Sequence, residues 1–378
     1  STGMIFMKLI VKSGSIYENT TTLGISHLIE HLLFTDKFQL ELLKKGIQYN
    51  GATGEHFVTY YFYARRTPKN QKFILKKIID IINGIGLHDL TQTQLEKEKN
   101  VVREELLGHL DDPTLPITEI HDSYVFGNIL AAPVQQIIDN LDKIDMNMVM
   151  SIYKSIYNPT NCKLFISGNY YKGYIKKQLL NKINTDRHIE DPELSIVRPN
   201  VTGESHIVSI PSLQKQYVYI TYVDHIPREQ AYTSTFVEMY LQNLFHVLVR
   251  EKGLLYSIDI ESDITPYRTH FNISFDCTPE TFNTILQIIT NEIQALKSND
   301  INDVYYNMTQ LSIQTSLDEM KGQLDLIRDA TFYTDRIISQ MPYVNIKRYY
   351  HNLSNVRKRD IHTYVSLYMN NYIVSFNK

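Results

Sequence analysis

Two distant stretches of the chain repeat one grammar. HFVTYYFYARRTPKNQKFILKKIIDII begins at His56 and HFNISFDCTPETFNTILQIITNEI begins at His270. Each is a β-branched and aromatic strand run, then Thr-Pro, then a helical run rich in Phe and Ile. Thr67-Pro68 pairs with Thr278-Pro279, and Phe73, five residues after its Pro, with Phe282, three after its own. Thr-Pro suits a helix start: Thr can cap free backbone amides, and Pro at the first helical position lacks an N–H that would have no partner there. A repeat this long marks a duplicated domain, not a short solenoid unit. Each half must then build its own core from strands and helices in the same order.

The rest of the first half fits around that unit. Ile5 to Val11 reads as a buried strand ending in a turn at Ser13-Gly14-Ser15. Thr20 to Thr22 offer N-cap residues for a helix carrying Ile25, Leu28, Ile29, Leu32 and Leu33, which continues to about Lys45 and stops at Gly46. Two strands follow, near Gln48 to Ala52 and Phe57 to Arg65. The helix after Pro68 carries Phe73, Ile74, Ile78, Ile79 and Ile82 as its apolar stripe. A long charged helix runs from near Thr91 to about Leu110. The polar stretch Asp191 to Ser205, with two prolines, marks a boundary. The expected domains are residues 1–192, a linker at 193–205, and a second domain at 206–378. The expected class is α+β: two homologous domains, each a mostly antiparallel sheet with helices packed on one face.

A chain of 378 residues can bury two cores, and 43% hydrophobic against 21% charged residues is a globular balance. The 38 basic and 41 acidic residues give a net charge of −3, too balanced to suggest a nucleic-acid or anionic-membrane partner. No apolar run reaches the roughly 18 residues of a membrane span, and no signal peptide opens the sequence. An intracellular, cytoplasmic protein is expected, with an organelle or a virion as alternatives. Ser1-Thr2-Gly3 ahead of Met4 leaves open whether a leader once preceded it. The two cysteines, Cys162 and Cys277, stand too far apart in sequence to suggest a disulfide framework or a cysteine zinc site. A metal would have to use His, Asp or Glu.

GISHLIEHLLF, Gly24 to Phe34, supplies such residues. On a helix His27 and His31 share a face one turn apart, and Glu30 lies beside them. A hydrolytic zinc needs three protein ligands, an open position for water, and a carboxylate to take that water's proton. His-x-x-Glu-His provides two ligands and the base from one helix. The five residues alone also fit a helix with solvent-facing histidines. A third ligand is offered by EKNVVREELLGHL, where Glu98 and Glu105 lie two turns apart on one face. Glu104 and His109 are rivals for that place, and most of the remaining charges suit a solvated stripe. Val101 and Val102 indicate that part of this helix is buried, and a buried carboxylate needs a partner.

Several blocks in order resemble the pitrilysin-like, inverted-motif zinc peptidases, the family of insulysin and the mitochondrial processing peptidase. GSIYEN resembles the family's Gly-Ser-x-x-Glu, and GISHLIEHLLF its metal motif. YNGATGEHFVTYYF resembles its Asn-Ala-x-Thr stretch, with Gly51 interrupting Asn and Ala. EKNVVREE resembles its Glu-rich helix, PTNCKLFISGN the strand ending its first domain, and VREKGLLYSI its Arg-Glu-x-x-Gly-Leu-x-Tyr segment, here one residue shorter. The resemblance implies a LuxS/metallopeptidase-like fold and a zinc-dependent endopeptidase with one Zn2+ per chain. His27, His31 and Glu105 would be the ligands, Glu30 the general base on a zinc-bound water, and Glu98 a supporting carboxylate in the catalytic set. The edge strand around Asn50 and Ala52 would bind a peptide substrate as an added strand. Arg250 and Tyr256 would grip its carbonyls. The second half shows no such motif; its corresponding helix, placed at Tyr240 to Lys252, has only His246. The family pattern implies a clamshell homodimer, or a heterodimer with a related chain. The alternative is a non-catalytic relative acting as scaffold or partner subunit. His56, His121, His188 and His362 are expected to be structural or exposed.

Overall fold

The computed structural model describes residues 3–127, 132–183, 204–210, 213–250, 252–265, 269–322 and 326–378. The expected linker at 193–205 lies outside them up to residue 203. In chain order, β1 (Met4–Val11), α1 (Ile25–Leu33), α2 (Asp36–Lys44), β2 (Gln48–Thr53), β3 (Val58–Arg65), α3 (Pro68–Ile82) and α4 (Gln92–Leu110) come first. Next are α5 (Leu115–Phe126), α6 (Val134–Leu141), α7 (Met146–Ile156), β4 (Cys162–Gly168) and α8 (Lys172–Lys182). The second half holds β5 (Glu204–Val208), β6 (Gln216–Tyr222), α9 (Ala231–Phe245), β7 (Leu255–Ile264), β8 (Thr269–Cys277) and α10 (Pro279–Lys297). It ends with α11 (Asp303–Gly322), α12 (Leu326–Ile338), α13 (Ile346–Ser354), α14 (Lys358–Tyr368) and β9 (Tyr372–Asn377). Among the described residues, no helix is long and apolar enough to cross a membrane.

The chain forms two compact units. Unit 1 comprises Ser1–Asp111, Ala132–Ser195 and Leu324–Ile338; unit 2 comprises Asp112–Ala131, Ile196–Gln323 and Ser339–Lys378. Helix α5, from the first half of the sequence, thus belongs to unit 2, and α12, from the second half, to unit 1.

The sheet of unit 1 has the order β2-β3-β1-β4 and is antiparallel throughout. Ile5, Met7, Leu9 and Val11 of β1 point into one core with Ile25, Leu28 and Leu32 of α1 and Ile74 and Ile78 of α3. Each such side chain stabilises the fold by about 1.5–3 kcal/mol on burial. The alternate residues face the other side, as the two-residue period of a strand requires. There Lys8 Nζ donates to Thr334 Oγ1 of α12 at 3.3 Å, and Phe165 of β4 stacks on Tyr333. Most helices therefore pack on one face, and α12 covers part of the second.

Unit 2 repeats the plan in the order β5-β9-β6-β8-β7, with β5 parallel to β9 and the other pairs antiparallel. Val218, Ile220, Phe271, Ile273 and Val374 form its core with α9, α10 and α14. Helix α5 covers the opposite face through a polar contact: one ring nitrogen of buried His121 meets Ser375 Oγ at 2.9 Å and the other meets Thr221 Oγ1 at 2.7 Å.

Local signals set the starts of α3 and α4. Thr67 Oγ1 accepts from Asn70 N ahead of α3, and Thr91 closes a reciprocal capping box with Gln94 ahead of α4. Three expectations need correction. The helix expected to run to about Lys45 breaks after Leu33: Phe34 leaves helical backbone, and Thr35 caps α2 by accepting from Phe38 N. Thr20 to Thr22 do not cap α1, whose N-cap is Gly24 in the left-handed region at φ 81°. The helix placed at Tyr240 to Lys252 is instead α9, ending at Phe245 and followed by one π-helical turn, His246–Arg250.

Candidate metal centre

Helix α1 and helix α4 bring three donor atoms together. His27 Nε2 and His31 Nε2 lie 3.2 Å apart. Glu105 Oε2 lies 3.6 Å from the first and 3.4 Å from the second. Tetrahedral zinc with bonds of about 2.0–2.1 Å spaces its ligand atoms about 3.3–3.4 Å apart. The three edges bracket that spacing, so these side chains fit a small tetrahedral ion. Among the described residues, His27, Glu30 and His31 also form a group whose ligand atoms lie within 4.8 Å of one another. We favour Glu105 over Glu30 as the third donor, because one Glu105 oxygen is within 3.6 Å of both imidazoles and Glu30 is engaged elsewhere. The Glu105 side chain is 47% exposed, whereas those of His27 and His31 are 22% and 20% exposed.

Glu30 is buried beside the triangle. Its Oε2 accepts from Thr53 Oγ1 of edge strand β2 at 3.3 Å. A Cβ at Gly51 would come within 2.0 Å of Glu30 Oε1, so the carboxylate fills the room that a side chain there would take. Burial pushes Glu30 above the usual carboxylate value, against the pull of His31 and the Thr53 hydroxyl. That is the direction a general base working near neutral pH requires.

Glu98 lies on the far side of His31, with Oε2 at 3.7 Å from Nδ1, the ring nitrogen turned away from the triangle. This contact does most to raise His31 above the ordinary imidazole range, while burial opposes it. Burial and the neighbouring His31 lower His27. Lys97 pairs with both Asp36 and Glu98 Oε1, the latter at 3.9 Å. Buried Val102 sits between the two glutamates on α4, whereas Val101 is exposed.

The other expected residues belong to several elements of the two units. Asn50 and Ala52 are exposed on β2, at the edge of the unit 1 sheet. Glu104 and His109 are exposed on α4. Tyr256 is 76% exposed at the start of β7, where the pairing with β8 shifts register between Leu255 and Ile258. Such a bulge re-aims side chains. Arg250 closes the π-helical turn, and its side chain lies outside the described residues. His246 is exposed and His56 buried; His362 Nδ1 meets Leu296 O at 3.2 Å; His188 lies outside the described residues. Sequence reasoning gave no role to Thr53 or to Glu18, whose carboxylate accepts from Gly24 N and Ser26 N. Both sit in stretches singled out for other reasons.

A family model described as Insulinase (Peptidase family M16) matches residues 5–119, which contain every residue of the triangle, Glu30 and Glu98. A second, described as Peptidase M16 inactive domain, matches residues 143–311. An uncharacterised zinc protease of Rickettsia felis is 29% identical over 174 residues, 44% of this chain and 41% of the relative. The chloroplastic stromal processing peptidase of Pisum sativum is 25% identical over 166 residues, 42% of this chain and 13% of the relative. The chain thus spans well under half the length of these relatives. A protease from Helicobacter pylori superposes with a TM-score of 0.80 at 17% identity, covering 100% of this chain and 94% of the other. A peptidase M16 inactive domain from Pseudomonas fluorescens gives 0.79 at 11% identity, with 99% and 93% covered. At these identities the superpositions show the fold.

Proposed function

The chain belongs to the insulinase family, peptidase family M16, and we propose that it is a zinc-dependent endopeptidase acting on peptides or unstructured segments. The observation that carries this reading is the triangle of His27 Nε2, His31 Nε2 and Glu105 Oε2, at 3.2, 3.4 and 3.6 Å, with a buried carboxylate beside it.

Zinc held by these three side chains would polarise the scissile carbonyl and lower the pKa of a coordinated water towards about 7. Glu30 takes the proton of the attacking water and delivers it to the leaving amine. Thr53 aims the Glu30 carboxylate, and Glu98 orients the His31 ring from its other nitrogen. Edge strand β2 takes the peptide backbone as an added strand, which selects for extended chains over particular side chains. Arg250 and Tyr256 grip substrate carbonyls from a partner chain in a homodimer, or in a heterodimer with a related chain.

Glu30→Gln tests the mechanism. Zinc should remain stoichiometric while cleavage of a mixed peptide library, read by mass spectrometry, falls by orders of magnitude. Undiminished cleavage by that variant would overturn the role of Glu30. Wild-type protein that takes up no zinc would favour a non-catalytic scaffold. Full activity in a monomer, shown by sedimentation, would remove the need for a partner.

A further inference from the structure

Helix α1 carries both histidines and Glu30, yet its own N-cap residue contributes no side-chain bond. The first turn of any helix exposes backbone N–H groups that need acceptors, and its positive end favours an anion. Here the acceptor comes from upstream. Glu18 Oε2 accepts from Gly24 N at 2.8 Å and Glu18 Oε1 from Ser26 N at 2.8 Å. Ser26 immediately precedes His27.

Glu18 is itself fixed. It is 9% exposed and follows a 3-10 turn, Ser15–Tyr17, with its N–H on Ser15 O at 3.1 Å. Asn140 of α6 donates to Thr21 O and Leu23 O, holding the loop between Glu18 and the helix. A Cβ at Gly24 would meet Ile137 Cγ2 at 2.7 Å, so the chain turns into α1 against a wall. Ser13 Oγ donates to Ser26 Oγ at 3.2 Å. A buried carboxylate thus accepts from two backbone amides at the start of the helix that carries both histidines.

We infer that Glu18 is a positioning residue for the metal centre: its two bonds to the first turn of α1 set the place of His27 and His31 relative to Glu105. This rests on the zinc reading above. Metal sites tolerate little displacement of their ligands, and loss of supporting contacts typically weakens metal binding about 10–100-fold.

Glu18→Gln is the test, since it keeps the volume but offers one acceptor oxygen to two donors. Amide exchange of Gly24 and Ser26 in metal-free protein should quicken by about tenfold or more, and the zinc dissociation constant, from chelator competition, should rise by about tenfold. Ile285→Val, in the core of unit 2, serves as a control that destabilises without touching α1. A purely structural role for Glu18 predicts loss of thermal stability with zinc affinity unchanged while folded, and that result overturns the inference. So does unchanged exchange at residues 24–28. If Glu18→Gln does not fold, Glu18→Asp carries the same readouts, its shortened carboxylate giving a smaller change in the same direction. Wild-type protein that fails to bind zinc would sink the peptidase reading, while the exchange data would still decide whether Glu18 holds the helix.

Discussion

Glu105→Gln should take away the third corner of the donor triangle and leave the fold standing. The side chain is half exposed, and the distances that matter are its 3.6 and 3.4 Å approaches to the two imidazoles. The amide keeps the shape but loses the negative charge and turns one ligand oxygen into a neutral group. Changes to supporting residues around a metal usually weaken binding 10–100-fold, so removing an anionic ligand should exceed about 100-fold, or about 2.7 kcal/mol. Glu98→Gln, acting through His31 Nδ1 from 3.7 Å, should fall inside the 10–100-fold range. Glu104→Gln, next door on α4 but exposed, should change affinity less than about twofold, as surface substitutions usually do. Zinc competition against a chromophoric chelator measures all three, with metal-free unfolding midpoints as the check on folding. Wild-type zinc affinity in Glu105→Gln, or weaker binding by Glu104→Gln than by Glu105→Gln, would exclude Glu105 as the third donor.

Thr53→Val removes the hydroxyl that stabilises the Glu30 carboxylate. The base should then titrate higher, and the acid limb of the kcat/KM profile should move to higher pH; a shift the other way would contradict the geometry. His121 gives a stability prediction in unit 2. Burial lowers it from 6.5 to about 4, so between those values the unfolded chain binds more protons than the folded one. Stability should be complete above about pH 6.5 and fall by about 3 kcal/mol as pH drops towards about 4. Hydrogen exchange of α5 amides measures this, and His121→Asn should flatten the dependence.

What could be read in advance was whatever depends on near neighbours. Thr67-Pro68 and Thr91 with Gln94 start α3 and α4 where the sequence places them, because the capping donors and acceptors lie within one turn. The pairing of His27 with His31 is likewise a matter of helical spacing. Spacing offered Glu98 and Glu105 on one face of α4 with Glu104 and His109 as rivals, the family resemblance singled out Glu105, and the packing of α4 on α1 brings one Glu105 oxygen within 3.6 Å of both imidazoles. The break at Phe34 did have a local signal, Thr35 followed by Asp36, but the apolar run through Leu33 masked it. The Glu18 cap and the assignment of α5 and α12 to the opposite units were not legible, because each depends on contacts between residues that no periodicity relates.

The two units share a helix, an edge strand and a glutamate, and differ in the residues around that glutamate. In unit 1, Glu30 on α1 accepts from a hydroxyl on edge strand β2. In unit 2, Glu238 on α9 accepts from Ser262 Oγ and Ser262 N on edge strand β7, at 2.8 and 3.2 Å. Burial raises both carboxylates. The residues around them differ. Three before Glu238 is Thr235, whose hydroxyl meets that of Tyr349, and one after it is Met239, packed against the core. These stand where α1 has His27 and His31. Where α4 presents Glu105 to α1, α11 presents Thr309 to α9, bonded to Asn243. The same helix, edge strand and glutamate thus fasten a sheet in one unit, and in the other have two imidazoles and a second carboxylate beside them. Two histidines grafted onto α9 would meet Thr309 where α1 meets Glu105, so in the proposed zinc centre the packing of α4 on α1 matters as much as the five-residue motif.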